Sequence, residues 1–180
     1  MIGLVEATLV AFVLLTALAT ALFRDVLSAI IVFAAYSLGM ALLYTYLLAP
    51  DVALTEAAIG AGVTTILLLL TIAKTVRPST DALFERIDVP ALVAVGAFAL
   101  VLGTLAIPGM PAIGSEQAPV WSNPDVTQYY LENTYKETGV TNTVAAVLAA
   151  YRGFDTFGEA VVVFGAAVAV MVVLHREEFT

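Results

Sequence analysis

The sequence predicts an all-α integral membrane protein with about five transmembrane helices, an outside N-terminus and an inside C-terminus. Hydrophobic residues make up 61% of the 180 residues and charged residues 12%, and the mean hydropathy is +0.99. Soluble globular domains contain about 45–50% apolar and about 25% charged residues. This composition favours a membrane protein and argues against a disordered chain or a nucleic-acid-binding protein.

Five apolar runs have the length that a helix needs to cross a bilayer, which is about 20 residues. The runs cover residues 4–23, 26–49, 52–73, 89–107 and 157–174. The first run has an uncharged start and is longer than the apolar core of a signal peptide. We therefore expect it to be retained as a helix.

The segment 108–141, between the fourth and fifth runs, is polar and rich in Pro, Gly, Asn and Tyr. Asn123 followed by Pro124 is typical of a helix start, and Gly139 is typical of a helix end. We predict a short helix here that lies outside the bilayer, near its surface.

Residues 143–151 are apolar but too short to cross a membrane, and a polar break from Arg152 to Thr156 follows them. Irregular backbone at membrane depth is tolerated only where protein or a water-filled cavity covers it. We therefore predict a broken helix before the last span, with the break facing the protein interior. The pattern leaves open whether residues 143–151 are re-entrant or belong to one long broken helix.

The basic residues are distributed unequally between the two sides of the membrane, which predicts orientation. With the N-terminus outside, five basic residues lie inside, namely Arg24, Lys74, Arg77, Arg86 and Arg176. Two lie outside, namely Lys136 and Arg152. The excess of positive charge on the inner side favours this orientation.

The runs and loops divide the chain into two modules. Residues 1–76 form a three-helix module and residues 77–88 an inside loop. Residues 89–180 form the second module, with the external segment 108–141 and the broken final helix.

The chain has no cysteine, a single histidine (His175) and a net charge of −8. No phosphate-binding loop, dinucleotide fingerprint or zinc-protease motif is present. We therefore expect no cofactor, no bound metal and no enzymatic activity. The acidic excess favours a high-salt habitat, such as that of a halophilic archaeon.

Three carboxylates lie inside apolar runs, where inserting an ionisable group into the membrane costs about 2.5–3.5 kcal/mol. Each of them therefore requires a functional or a structural explanation. Glu56 lies one and a half turns into the third helix, or about 8 Å, if this helix begins at Asp51. Gly60 and Thr64 follow at intervals of four residues, which places all three on one helix face. Glu56, with Thr64 on the same face, is thus a candidate relay for protons or cations. Alternatively, it is solvated near the outer interface or pairs with a neighbouring subunit.

The other carboxylates have structural explanations as well. Thr156 and Glu159 have the spacing of a capping box, which satisfies free N–H groups at a helix start, although Glu159 can also serve an ion path. Arg152 and Asp155 are three residues apart and can form an ion pair inside the break. We expect Glu6, close to the N-terminus, to lie at the membrane interface.

Two stretches resemble membrane subunits of Mrp-type sodium/proton antiporters and membrane-bound hydrogenases. Residues 23–65 contain Asp51-Val-Ala-Leu-Thr-Glu56 followed by a Gly- and Thr-rich helix, and they resemble the D-like module of this family. Residues 142–159 contain Arg152-Gly-Phe-Asp155-Thr-Phe-Gly-Glu159, which is similar to the R-G-[FL]-D-T-x-G-E element of the E-like subunit. The two modules follow each other in the order that the family has.

The resemblance implies an accessory membrane subunit of a multisubunit sodium/proton antiporter in a prokaryotic cell membrane. Its partners would be the other hydrophobic subunits and membrane lipid, and the transported ions would be Na⁺ and H⁺. The resemblance also implies that Glu56 lies in the ion or proton path. Arg152, Asp155 and Glu159 would form the polar element of the second module.

The sequence departs from the antiporters in lacking their large domain with its membrane-embedded lysines. We therefore expect that the chain does not exchange ions by itself. Two alternatives stay open: the same subunit in a redox-driven complex, such as a membrane-bound hydrogenase or a complex I-like oxidoreductase, and a purely structural scaffold in which Glu56 only pairs with a neighbour.

Overall fold

The computed structural model describes residues 3–75, 82–112, 115–118, 122 and 124–176, with side chains up to residue 172 in the last helix. Its helices are, in chain order, α1 (Leu4–Leu22), α2 (Val26–Tyr46), α3 (Pro50–Lys74), α4 (Val89–Gly109), α5 (Pro124–Thr138), α6 (residues 143–151) and α7 (Gly153–Arg176). Over these ranges the only extended pairing is one antiparallel bridge between Phe23 and Phe84. The fold is all-α, as predicted.

Five of the described helices, α1, α2, α3, α4 and α7, are long and apolar enough to cross a membrane. This confirms the prediction of an integral membrane protein with five spans. Most of the large apolar side chains on these helices are exposed. Such faces suit lipid or partner subunits rather than water. The orientation with the N-terminus outside stays a prediction.

Several residues singled out in the sequence lie outside the described residues, namely Arg77, Asn123 and the side chains of His175 and Arg176. The helix predicted after Asn123 does begin at Pro124. Gly139 directly follows its last residue with a left-handed φ of 71°, a conformation that glycine adopts without steric cost and that commonly ends helices. Its position outside the bilayer stays a prediction.

Packing divides the chain into two compact units, residues 1–96 and 97–180. The boundary lies within α4. The predicted division into modules 1–76 and 89–180 stays a prediction.

In the first unit, α2 contacts both α1 and α3. Gly39 of α2 makes the contact with α1 possible, because a Cβ at this position would lie 2.8 Å from ring carbons of Phe12 and 3.3 Å from Val13. Small residues at such points let helix backbones approach closely in membranes. Ala41 of α2 and Ala53 of α3 are buried, as expected for residues on the packed faces of these helices.

Carboxylates satisfy backbone N–H groups at the starts of the first two helices. Glu6 accepts a hydrogen bond from the backbone N–H of Gly3 at 3.4 Å. Asp25 accepts hydrogen bonds from both the backbone N–H and the hydroxyl of Ser28, each at 2.8 Å. Both carboxylates therefore act as helix caps.

The turn between α1 and α2 is held by the segment that precedes α4. The backbone N–H of Arg24 donates to the carbonyl of Leu83 at 3.1 Å. The backbone N–H of Glu85 donates to the carbonyl of Leu22 at 2.8 Å. The two phenylalanine rings stack with centroids 5.7 Å apart, and the Arg24 and Glu85 side chains approach to 3.8 Å. The segment is thereby fixed against the end of α1.

In the second unit, α5 packs against α6 through a carboxylate shared by two tyrosines. Glu137 accepts hydrogen bonds from the hydroxyls of Tyr151 on α6, at 2.6 Å, and of Tyr129 on α5, at 2.9 Å. The ring of Tyr151 also contacts the edge of Tyr130, with centroids 4.9 Å apart. The hydrogen bonds from Tyr151 and Tyr129 lower the pKa of Glu137 below its usual value.

The broken helix is present as predicted, and the break is one residue long. The last turn of α6, Val147–Tyr151, is a π-helix, and Arg152 then leaves the helical conformation with φ −122° and ψ 32°. The next helix, α7, begins at Gly153. Because α7 continues as one of the five candidate spans, the break directly precedes the last span.

The predicted capping box at the start of the last span is wrong. α7 begins at Gly153, so Thr156 lies in its first turn instead of before it. The hydroxyl of Thr156 donates to the carbonyl of Leu148 on α6 at 2.7 Å. Thr156 therefore joins the two halves of the broken helix, and Glu159 lies beyond the turn that a cap would serve.

We expect Gly39→Leu to destabilise the chain by about 1–3 kcal/mol, the usual cost of overpacking a close contact. The new side chain would have to displace the Phe12 ring or separate α1 from α2. Thermal unfolding of the full chain in detergent, followed by circular dichroism, measures this effect. Gly96→Leu is the control, since a Cβ at Gly96 would meet no described atom within 4 Å apart from the backbone of its own helix and its chain neighbours. Equal unfolding temperatures for the two variants would contradict the packing argument.

We expect Glu137→Gln to loosen α5 from α6, because two tyrosine hydroxyls lose a charged acceptor. Because the pKa of Glu137 is lowered in the folded state, the stabilisation from these hydrogen bonds is fully present above pH 4.5, the ordinary glutamate value. The contribution is lost as the pH falls through the lower value of the folded state. The protection of residues 124–138 against hydrogen exchange, relative to the intrinsic rate at each pH, should fall in the variant, and in the wild type at acidic pH. Glu132→Gln is the control, because among the described residues Glu132 bonds only to Gln128, within α5.

Candidate functional site

The candidate site lies on α3, where the hydrogen-bond pattern changes directly after Glu56. The helix begins at Pro50, one residue before Asp51, and is regular to Glu56; residues Ala57–Thr64 then form a π-helix. Such i→i+5 segments are rare and occur frequently at functional sites. The site therefore combines a membrane-embedded carboxylate with an irregular helix.

Glu56 is half-buried, and its carboxylate approaches α2 across Gly60. A Cβ on Gly60 would lie 2.6 Å from Glu56 Oε1 and 2.6 Å from the hydroxyl oxygen of Ser37 on α2. The two oxygens are therefore no further apart than twice that distance. Glycine at position 60 permits this close approach, because a Cβ there would force Ser37 or Glu56 to shift.

A groove of about 480 Å³ between α2 and α3 is lined by Ser37, Glu56 and Gly60. Its lining residues on the two helices are Phe33, Tyr36, Ser37, Met40 and Tyr44, and Thr55, Glu56, Ile59 and Gly60. Hydroxyls, aromatic rings and a carboxylate share this wall. Most of the lining is nevertheless apolar.

The structure brings Glu56 and Gly60 to the groove but not Thr64, which is half-buried elsewhere on α3. The expectation of one shared face assumed α-helical periodicity. Thr64 lies eight residues after Glu56, about 12 Å further along the helix axis, and the lining that α3 gives to the groove ends at Gly60.

The second polar element is on the break before α7. The Nε of Arg152 donates to Asp155 Oδ2 at 2.6 Å, which forms the predicted ion pair. The two side chains are 67% and 55% exposed, and exposed pairs contribute about 0–1 kcal/mol. Glu159 lies one turn further along, exposed and without a hydrogen-bond or ion-pair partner among the described residues. The structure thus joins Arg152 to Asp155 and leaves Glu159 apart.

Acidic groups do not cluster in the described ranges. No three His, Cys, Asp or Glu side chains there are placed to hold a metal ion together. A single carboxylate with neighbouring hydroxyls, as at Glu56, can accept and release a proton or bind a monovalent cation weakly.

Ser37 is a site residue that sequence reasoning missed. It is 1% exposed, and its hydroxyl has no hydrogen-bond partner in the described part of the chain. The available signal was a serine two residues before Gly39 in an apolar run, since small and polar residues mark the faces on which membrane helices meet.

Comparison with known proteins gives two family models that match consecutive parts of the chain. The model MbhD, described as the D subunit of MBH, matches residues 11–77. The model MbhE, described as the E subunit of MBH, matches residues 109–179. The first match ends just beyond α3 and contains the α2–α3 groove, and the second contains α5, α6 and the break.

Individual relatives match shorter stretches. A probable A/B subunit of a K(+)/H(+) antiporter from Rhizobium meliloti is 43% identical over 51 residues, which are 28% of this chain and 5% of that protein. An uncharacterized protein of Methanocaldococcus jannaschii is 47% identical over 64 residues, 36% of this chain and 81% of that protein. A chain in the solved structure of the membrane-bound sulfane sulfur reductase, an archaeal respiratory membrane complex, is 35% identical. That match covers 49% of this chain and 99% of the other, with a TM-score of 0.42.

The chain spans only a small part of the antiporter protein but most of the archaeal relative. Its two family matches also follow the order in which the sequence resembles D-like and E-like subunits. The chain is therefore a membrane subunit of the Mrp/MBH type and belongs to the MbhD and MbhE family of MBH subunits.

Proposed function

We propose that the chain is a non-catalytic subunit of a multisubunit monovalent cation/proton antiporter in a prokaryotic cell membrane. Glu56 relays protons or cations, and the other hydrophobic subunits supply the rest of the exchange machinery. The observation that carries this proposal is the position of Glu56 in the α2–α3 groove, beside the π segment of α3. Ionisable groups within membrane helices are costly, face protein or water, and mark ion pathways.

The transported cation in this proposal is Na⁺. One relative is described as part of a K(+)/H(+) antiporter, although the match covers only 5% of it. A groove with carboxylate and hydroxyl oxygens can accept either ion. Proton exchange by the assembled complex should therefore be measured with sodium and with potassium in parallel.

A second candidate function is the same role in a redox-driven complex. It is favoured by the two matching family models, both described as MBH subunits. Extraction of the complex in mild detergent, followed by mass spectrometry of its subunits, separates the two. Antiporter-like subunits without a metalloprotein support the antiporter, whereas iron–sulfur or nickel subunits support the redox-driven complex.

We expect Glu56→Gln to slow cation-dependent proton exchange about a hundredfold, at the lower end of what a positioned acid–base group contributes. The amide keeps the shape of the side chain but does not titrate. The measurement is exchange in vesicles that carry the assembled complex at normal subunit levels.

Glu6→Gln is the matched control for this experiment. Glu6 is also a carboxylate in an apolar run, but it caps the start of α1. We expect its variant to exchange at the wild-type rate. Wild-type exchange by Glu56→Gln would instead leave the carboxylate with a purely structural role.

We expect Arg152→Ala to lower the yield of assembled complex, because a partner subunit that covers the break would bury Asp155 without its cation. The pair is exposed in this chain, so the stability of the isolated subunit should change little. Adding Asp155→Ala should restore part of the yield, and Lys136→Ala should not reduce it. A wild-type yield of assembled complex with Arg152→Ala would contradict the burial of the Arg152–Asp155 ion pair by a partner subunit.

A further inference from the structure

The last span, α7, carries a carboxylate without a partner in the described part of the chain. Glu159 lies within the span Gly153–Val172, about 9 Å along the helix axis from its start. It is exposed and has no hydrogen bond or ion pair among the described residues. Ionisable groups inside a membrane are costly and almost always face protein or water instead of lipid. Glu159 therefore requires a partner beyond the second unit as described.

The spans of this chain offer no cation to Glu159 inside the bilayer. Within the five candidate spans of the described structure, the only Lys, Arg or His is Lys74, the last residue of α3. Arg152, at the break, already bonds Asp155. Asp155 lies four residues before Glu159, and like charges at this spacing destabilise a helix. The charge that compensates Glu159 is therefore expected from another protein.

Glu159 shares its side of α7 with small residues. α7 is an α-helix over Gly153–Arg176, so residues three, four and seven positions apart lie on one side. The Glu159 face consists of Gly158, Glu159, Val162, Gly165, Ala166 and Ala169. A Cβ at Gly158 or Gly165 would meet no described atom within 4 Å apart from the backbone of its own helix and its chain neighbours. This side of α7 therefore leaves room for the backbone of a second helix.

The opposite side of α7 carries larger apolar residues, among them Phe157, Phe164 and Met171. Such side chains suit contact with lipid, whereas small residues beside a polar group are typical of the faces on which membrane helices meet. Every residue from Phe157 to Val172 is exposed. The Glu159 face is thus an uncovered helix face that combines close access with an uncompensated negative charge.

We propose that the Glu159 face of α7 docks a transmembrane helix of another subunit of the complex, and that this helix presents a lysine or arginine to Glu159. This inference rests on the membership of the chain in the MbhD and MbhE family of MBH subunits and does not depend on the Glu56 relay. A second copy of this chain does not fit, because its described spans hold no basic residue except Lys74 at a helix end.

A matched pair of substitutions tests the docking face. Gly165→Leu places a large side chain on the Glu159 face, and Ala167→Leu places the same side chain on the opposite side of α7. We expect Gly165→Leu to lower the yield of assembled complex about tenfold, since overpacking a close contact is destabilising. Ala167→Leu should assemble as the wild type does. Leucine is a good helix former, so circular dichroism should find both isolated subunits as helical as the wild type.

Substitutions of the carboxylate test the charge. Glu159→Gln keeps the size of the side chain and should lower the yield of assembled complex about tenfold, because the partner's cation is left buried without its counter-charge. Glu159→Lys should lower the yield further, since it places like charges together. Glu132→Gln on α5 is the control and should assemble normally.

Photocross-linking in the assembled complex identifies the partner. Benzoylphenylalanine in place of Val162 should label a transmembrane helix of another subunit that has a lysine or arginine at the depth of Glu159. The same group in place of Phe164 should label lipid. Exchanging the charges, with Glu159→Lys and a glutamate in place of the partner's basic residue, should then restore assembly.

The remaining outcomes overturn the proposal. Lipid adducts from both positions, or a labelled helix without a basic residue, would leave Glu159 without the proposed partner. Wild-type yields for both Gly165→Leu and Glu159→Lys exclude the docking whatever the cross-links are. Slow proton exchange by Glu159→Gln at a full yield of complex would place Glu159 in an ion path instead of a helix contact. Normal exchange by Glu56→Gln, in contrast, overturns the proposed relay and leaves this docking face intact.

Discussion

The first unit depends on the close approach of α2 to its two neighbours. Gly39 allows Phe12 of α1 to approach α2, and Gly60 of α3 allows Ser37 of α2 to approach α3, because a Cβ at either glycine would lie under 3 Å from the facing side chain. Helices in lipid gain little from hiding apolar surface, so association relies on close packing and on polar contacts between helices. Gly60, at the contact between α2 and α3, and Gly39, at the contact between α2 and α1, therefore both contribute to the packing of α2.

The membrane also requires that every backbone N–H and C=O find a partner within the protein. Wide helical turns make this harder, and the described part of the chain has three π segments, Ala57–Thr64, Leu102–Ala106 and Val147–Tyr151. Near each of them a threonine hydroxyl donates to a backbone carbonyl, from Thr65, Thr104 and Thr156. Local side-chain donors thus accompany each departure from regular α-helix, including the one beside Glu56.

The spans and the carboxylate were predictable because both follow from the cost of polarity in lipid. An apolar run of sufficient length predicts a helix, and Glu56 within such a run predicts a polar environment. Side-chain periodicity does not encode the π segment Ala57–Thr64. Thr156 fits a local capping motif, but its bond to Leu148 across the break prevails. Ser37 gains its importance only from Glu56, which is distant in sequence and adjacent in space.

The bridge between Phe23 and Phe84 has a consequence for how the chain inserts. Because α2 and α3 are both candidate spans, crossing by both returns the chain to the side of the turn after α1, where the two residues meet. If only one of the two helices crossed, a hydrocarbon layer about 30 Å thick would separate the phenylalanines. The backbone hydrogen bonds, ring stacking and ion pair at this point therefore stabilise one transmembrane topology over the others during biogenesis. They do so within the first 85 residues, before α4 has to enter the bilayer.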